Sequence, residues 1–591
     1  MNRGKNMAKS AKIDFPKTSR MVNPFTHDAN LARYLEAVYP GFLKDNQDRL
    51  ESYGDYVRTE LEAQAEYSDR YAQPEIKAVL DDPSNPTGRR NEIILNDRYK
   101  SCEQEIYSRG FVADTLKNDK PSPHMLGFLA QYMTSYSDIS VGCPLAMTHP
   151  IALLLASGKV PQDISQKFLP QFTRIDGKTA IGGTWATEKH GGSDIPATTT
   201  TATVQQDGAY RLDGHQWFAS AAGFDRWITI KTARTEDGGI GLFLVPKYLN
   251  EDWDDETAQE LNPVYISQLK DKMGTKGLPT AEIELSGTTA YQLADGQGGL
   301  RMMMEGLGCS RVHNAMAAAG VMHRSYVEAV CWTSTRETFG KNLIEREGIQ
   351  EDILKLKTEW LAGSALAFES ARTFDASLSD KGDKNERAWL RVVTALAKFA
   401  TAERAVESSA LALELVGGLG YTKDHALERI YRDSMVLRVW EGPTHIQARE
   451  LAGVLAHGGA DAFMSRIDTV LDGLRDRAGM KLETTRLTDL AIEMDTSLKA
   501  FAAAPEKSEL VAHRFLKAMS DVLTYALLCE EAARELDSDK TKQLIARNYH
   551  DIHYGDKMPV SLEKSALHEH FTDVVNGKPI ITINAPDATP K

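Results

Sequence analysis

The chain is short of cysteine, of positive charge and of long apolar runs, and each shortage removes a class of protein. Its five cysteines, Cys102, Cys143, Cys309, Cys331 and Cys529, are odd in number, far apart and free of any Cys-x-x-Cys spacing. Neither a disulfide framework nor a zinc site is indicated, and a reducing compartment is the natural home. Acidic residues outnumber basic ones by 83 to 69, for a net charge of −14. Such a chain has no general attraction for a phosphate backbone or an anionic membrane, so nucleic acid is not an expected partner. No run approaches the roughly 18 apolar residues of a membrane span. The nearest, Pro144 to Ala156, contains Thr, His and Pro. Met1 to Arg20 has six basic residues but no apolar stretch, which argues against a secretory signal. It reads as a polar, mobile tail, with the cytoplasm as the address, or an organellar matrix if the tail is a transit peptide.

What is present is enough chain, 591 residues, for several domains. From about Asn30 to Lys178 apolar residues recur at helical spacing, as in Leu31, Tyr34, Leu35 and Val38. Asp81 to Gly88 reads as a polar loop inside that region. Cys143 to Thr148 is apolar and small, suited to buried core or to a pocket wall. Between about Ala180 and Gly299 short strand-like segments take over, among them Tyr210–Gly214, Trp227–Thr232, Gly241–Pro246 and Ala281–Leu285. Nothing helical interleaves them, which predicts a mainly antiparallel β-domain. Long alanine-rich helices follow over 301–338, 351–379 and 386–416, ended by Gly417-Gly418-Leu419-Gly420. After Gly458 comes a further helical segment and a polar tail. The predicted architecture is α+β in four parts: residues 1–178, 179–299, 300–457 and 458–591.

The stretch Leu437 to Gln447 concentrates the chemistry. Glu441 lies between apolar Val439-Trp440 and a Gly442-Pro443 break, on a connection between two predicted helices. Partial desolvation there would raise its pKa towards neutrality and make it a candidate general base. The plainer reading is an acid favoured by the dipole of the next helix. Thr187-Glu188-Lys189-His190-Gly191-Gly192-Ser193-Asp194 follows a strand-like segment and can present N–H groups and hydroxyls to an anion, or be a simple turn. It matches neither the P-loop nor the dinucleotide fingerprint. Gly214 to Ser220 adds aromatic surface and a hydroxyl suited to a planar ring, or to core packing.

Together, Thr-Glu-x-x-x-Gly-Ser-Asp, Gly-x-x-x-Phe-x-Ser, Arg336 to Lys341, Leu415 to Tyr421, Tyr431-Arg432-Asp433 and Trp440-Glu441-Gly442 resemble, in order and spacing, the acyl-CoA dehydrogenase flavoproteins. The resemblance covers about Pro144 to Leu455. The Trp before Glu441 and the extra terminal regions are most similar to the subgroup that includes the bacterial alkylation-response flavoprotein and related long-chain enzymes. It implies that family's helix–β–helix fold, FAD as cofactor, and an acyl-CoA substrate oxidised to a trans-2-enoyl-CoA. It further implies Glu441 as the base for the α-proton, with flavin N5 taking the β-hydride, and Thr187, Ser193, Phe218 and Ser220 around the flavin. Arg336 and Phe339 match positions that reach a neighbouring subunit's FAD, and Gly417 and Gly418 match positions near its pyrophosphate, implying a homodimer or homotetramer. Arg311 matches an arginine near the base, where it either orients Glu441 or pairs with a core acid. The implied electron acceptor is an electron-transferring flavoprotein, with dioxygen the oxidase variant.

The chain departs from the pattern at Glu414, where most members have Gln, and at Lys189-His190. His550 to His553 and His568 to His570 lack further ligands at metal-site spacing and read as solvated surface, so no metal is expected. Two other functions fit the same resemblance: a DNA-associated protective flavoprotein, and a fatty-acyl-binding protein without turnover. Against the first, residues from 456 onward hold 17 Lys and Arg against 22 Asp and Glu.

Overall fold

A computed structural model describes residues 13–80, 89–117, 122–296, 298–378, 384–555 and 564–583. The first region is helical: α1 (Ala29–Val38), α2 (Phe42–Tyr56), α3 (Glu62–Arg70), α4 (Asp97–Ser108), α5 (Met125–Ser137), α6 (Ile139–Ala156) and α7 (Gln162–Phe172). Short polar side chains set several starts, with Asp28, Asn96 and Asp138 accepting backbone N–H groups at the heads of α1, α4 and α6. The polar loop read at 81–88 lies outside the described residues. Its flanks are not irregular, because β1 (Glu75–Leu80) pairs antiparallel with β2 (Arg89–Ile94). The N-terminal tail also stops earlier than its charge suggests: Ser19 is buried and its hydroxyl donates to Glu328 at 2.7 Å.

One expectation is corrected by α6. At 18 residues it is long and apolar enough to cross a membrane, yet 83% of it is buried inside the protein, packed against α5, the long helix that starts at Gly299, and the first strand of the main sheet. The run was missed because its Thr, His and Pro were counted as polar breaks, whereas here they sit within a continuous buried helix.

The main sheet comprises β3 (Ile181–Trp185), β4 (Thr201–Val204), β5 (Tyr210–Ala219), β6 (Trp227–Arg234), β7 (Ile240–Pro246), β8 (Val264–Leu269) and β9 (Ala281–Ala294). Antiparallel pairings run β4 to β5, β5 to β9, β9 to β7 and β7 to β6, and Thr201 opposite Arg234 closes the ring. β3, paired with β6, and β8, paired with β9, remain at the margins of that ring. The domain is not wholly antiparallel, because β3 runs parallel to β6. Burial of every residue of β7, and of all but the last of β6, explains why both read as continuous apolar strands.

The bundle follows as α8 (Gly299–Thr335), then the two-residue strands β10 (Glu337–Thr338) and β11 (Lys341–Asn342), then α9 (Glu347–Leu378), α10 (Lys384–Val416), α11 (Ala426–Val439) and α12 (Thr444–Val454). Small residues let these helices approach closely. A Cβ on Gly320 of α8 would lie 2.1 Å from the Tyr132 carbonyl of α5, so only glycine fits there. The last region, α13 (Ala460–Arg475), α14 (Lys481–Ala503), α15 (Ser508–Glu535) and α16 (Thr541–Tyr554), docks on this bundle. Buried Arg404 of α10 ties it down, meeting Glu359 of α9, Asp521 of α15 and Tyr549 of α16. Two histidines of the motifs read as surface have partners: His553 bonds Glu359 and His568 bonds Gln350, each at 2.9 Å.

Candidate active site

Glu441 sits where α11 stops and α12 has not begun, as its Gly-Pro neighbours require. Its backbone is left-handed, φ 57°, and Gly442 follows at φ 95°. A non-glycine residue there costs about 1–3 kcal/mol and persists only where its surroundings hold it. Three side chains do so. Arg311 Nε donates to the Glu441 carbonyl at 3.1 Å, and Gln447 Nε2 donates to the Glu441 and Gly442 carbonyls at 2.9 and 3.1 Å. Lys398 Nζ reaches the Gly442 and Arg438 carbonyls at 2.7 and 3.2 Å. Arg311 also pairs through Nη1 with Glu450, which is half-buried and not a core acid.

The Glu441 side chain is left free. Its Oε2 is buried and has no partner among the described residues. Burial pushes the carboxyl up to about 7, against the opposing pull of Arg311 and Lys398. The neighbour Val439 is 62% exposed, so the desolvation comes from the walls of a cavity and not from the adjacent apolar residues alone. That cavity measures about 740 Å³ and lies between the β-domain, α6, α8 and the Trp440–Glu441 corner. Thr187, Ser193, Phe218, Ser220, Arg311 and Glu441 all line it, as do Cys143, Ala146 and Met147 of the small apolar run. Arg336, Phe339, Gly417 and Gly418 do not. Phe339 is 97% exposed with φ 50°, on the turn between β10 and β11, and Gly417 and Gly418 are exposed at the end of α10.

The loop carrying Thr187 and Ser193 is fixed from below by a buried carboxylate. Glu188 accepts from Lys231 Nζ at 2.9 Å, from the Thr199 N–H at 2.7 Å, from the Thr199 and Thr200 hydroxyls at 2.6 Å, and from Thr198 Oγ1. Burial alone would raise its pKa. Lys231 and these hydrogen bonds outweigh that and hold the carboxyl well below its usual range. Trp217 N–H donates to the Thr187 carbonyl at 2.8 Å, joining this loop to the Phe218 segment.

Sequence reasoning missed the segment Lys272–Thr275, which also lines the cavity. Asp433 accepts the Thr275 N–H at 2.5 Å, and a Cβ on Gly274 would stand 2.6 Å from the Arg432 carbonyl. The Tyr431-Arg432-Asp433 landmark therefore latches the β-domain to α11. Lys272 is brought down to about 8 by burial and donates to the Leu278 carbonyl at 2.8 Å and to Thr280 Oγ1 at 3.0 Å. The signal was a lysine followed by Gly274 and Gly277 just before β9. For Lys398 it was a lone cation in the apolar stretch Leu396 to Ala400.

The β-side of the cavity fits a planar hydrogen-bonding ring. Gln216 Oε1 is buried there without a partner among the described residues, Thr187, Ser193 and Ser220 line the same cavity, and Phe218 offers a 47% exposed aromatic surface.

Two segments of the chain match a known protein family. Residues 183–288 match the acyl-CoA dehydrogenase middle domain and residues 297–456 the acyl-CoA dehydrogenase C-terminal domain. The chain is 29% identical over 455 residues to acyl-CoA dehydrogenase family member 11 of Caenorhabditis elegans, covering 73% of this chain and 71% of the relative. It is 31% identical over 323 residues to the putative acyl-CoA dehydrogenase AidB of Escherichia coli strain K12, covering 53% and 57%. The crystal structure of C. elegans ACDH-11 in complex with C11-CoA superposes with a TM-score of 0.80 at 24% identity, covering 92% of each chain.

Proposed function

Because the chain belongs to the acyl-CoA dehydrogenase family, we propose that it oxidises an acyl-CoA thioester to the trans-2-enoyl-CoA, with Glu441 removing the α-proton. The observation that carries this reading is the unpartnered Glu441 oxygen, held in a cavity at a pKa near neutrality. A carboxylate of that kind takes a proton at neutral pH and keeps it out of water. The corner is left-handed, and Arg311, Gln447 and Lys398 hold it through the carbonyls of residues 438, 441 and 442. A thioester α-proton is weakly acidic, so charge developing on the thioester oxygen needs N–H donors. The backbone N–H of Glu441 is the candidate donor on this chain.

FAD is the cofactor, and when bound it supplies the acceptor for the hydride leaving the β-carbon. Thr187, Ser193, Phe218, Ser220 and Gln216 would hold it on the β-side. Arg336, Phe339, Gly417 and Gly418 lie outside the lining of their own chain's cavity, which supports a role at a second subunit's cofactor and a homodimer or homotetramer. A carrier flavoprotein is the expected electron acceptor. Five free, buried thiols support a reducing, cytoplasmic address.

The test is the visible spectrum of the purified, FAD-loaded protein before and after anaerobic addition of acyl-CoAs from short to long. Bleaching of the flavin band by one length class is the expected result. A yellow protein that no acyl-CoA bleaches would sink the proposal and favour binding without turnover.

A further inference from the structure

The helical wall of the cavity carries polar groups that a plain hydrocarbon chain does not use. Gln131 of α5 and His313 and Asn314 of α8 line it at 2%, 0% and 2% exposure. Each keeps one buried polar atom with no partner among the described residues: Gln131 Oε1, His313 Nδ1 and Asn314 Nδ2. The rest of each side chain is fixed. Gln131 Nε2 donates to Ser135 Oγ at 3.0 Å, and Asn314 Oδ1 accepts the indole N–H of Trp440. His313 Nε2 shares a hydrogen bond with His149 Nδ1 at 3.0 Å, and His149 Nε2 another with His124 Nδ1 at 2.8 Å. Buried polar atoms without partners are costly, and three on residues that line one cavity point to a ligand that completes them.

We propose that the acyl chain accepted beside Glu441 carries a hydroxyl group beyond its α- and β-carbons, read by His313, Asn314 and Gln131. This rests on the acyl-CoA reading above and names its substrate class. A hydroxyl both donates and accepts, so it can give its hydrogen to Gln131 Oε1 or His313 Nδ1 and accept from Asn314 Nδ2. The histidine file adds adaptability. Burial keeps all three imidazoles neutral, bringing His313 down to about 3 and His124 to about 4, and His149 well below its ordinary value. A neutral imidazole has one donor and one acceptor, so His313 Nδ1 changes from donor to acceptor without adding charge when it releases its hydrogen, one hydrogen shifts along each link towards His313, and His124 takes up a replacement at Nε2.

One other ligand could use these atoms, because His149, Cys309 and His313 place ligand atoms within 4.8 Å of one another. Against a metal stand the hydrogen bond that His149 and His313 already share and the burial that pushes the Cys309 thiol up, away from the thiolate.

The experiment compares matched pairs of acyl-CoAs that differ only by a hydroxyl at carbon 4 or beyond. Each pair is scored by anaerobic bleaching of the FAD-loaded protein and by calorimetric binding to Glu441→Gln. The hydroxylated member of at least one pair should bleach and bind about tenfold or more better. His313→Leu, and separately Gln131→Leu, should reverse that preference towards the plain chain. Two independent variants keep the test alive if one fails to fold. Equal or better performance by every plain chain would overturn the inference alone, leaving the three atoms to buried water. Bleaching and binding by neither class would overturn the dehydrogenase reading and this inference with it. Stoichiometric zinc in the purified protein would assign His313 to a metal and overturn the inference too.

Discussion

Glu188 lies buried beneath the Thr187–Ser193 loop and Glu441 lines the cavity with its Oε2 buried, and their surroundings drive the two carboxyl groups in opposite directions. Glu188 sits below the Thr187–Ser193 loop among Lys231 and three threonines, so its charge is fully matched and its pKa falls. At Glu441 desolvation wins and the pKa rises to about 7, because Arg311 and Lys398 bond the backbone carbonyls of residues 438, 441 and 442 and not its carboxyl group, and their pull offsets the rise only in part. Burial is common to both. What separates an anchor from a base is whether the carboxylate oxygens are spoken for.

The largest expected effect breaks the comparison at the base. Glu441→Gln should lower flavin reduction by about 10³-fold or more, because the amide cannot take a proton. Fold and bound FAD should be retained. Rapid anaerobic mixing with acyl-CoA measures it, and near-normal bleaching would remove Glu441 from the mechanism. The anchor should respond in stability instead. Glu188→Gln or Lys231→Met alone leaves a buried charge unmatched and should cost about 3–5 kcal/mol in urea unfolding, while replacing both should cost much less. Additive losses would show that the pair is not coupled.

The pH dependence sharpens the contrast through its sign. For Glu441 the folded value, about 7, lies above the ordinary 4.5, so the native chain holds the extra proton between them. Its contribution to stability therefore falls as pH rises from about 4.5 to about 7, while the rate of flavin reduction rises through the same range. Glu188 has the reverse sign, its contribution being present above the unfolded value and lost as pH falls through the folded one. Unfolding free energies of wild type and Glu441→Gln across pH 4 to 8 should diverge on the Glu441 side, and parallel curves would contradict the assignment. The smallest effect is expected at Lys398→Met, which removes two hydrogen bonds from the corner. Flavin reduction should slow between about ten- and a hundredfold through mispositioning, with the pH midpoint moved upward by loss of a nearby cation. An unchanged rate would mean that Arg311 and Gln447 hold the corner alone.

Much of this was legible in the chain because the signals were local. Gly442-Pro443 announced the break that places Glu441 between helices, the alanine-rich periods announced α8, α9 and α10, and short segments of strand composition announced β5, β6 and β7. What failed was whatever depended on a distant partner. The Lys272–Thr275 segment looked like a loop because its role needs Asp433, more than 150 residues away. β1 and β2 were hidden because their pairing spans a polar loop, and the end of the Met1 to Arg20 tail looked mobile because Glu328 was needed to hold Ser19.

The sequence alone determined the order of elements, the loop that bears the base and the family motifs, since each rests on neighbours a few residues apart along the chain. Tertiary structure alone decided which glutamate is free and which is matched, and gathered Gln131, His313 and Asn314 into the lining of one cavity with open valences. Protonation and hydrogen-bond satisfaction are set by whatever surrounds a group in three dimensions, and the chain brings those surroundings together only when it folds.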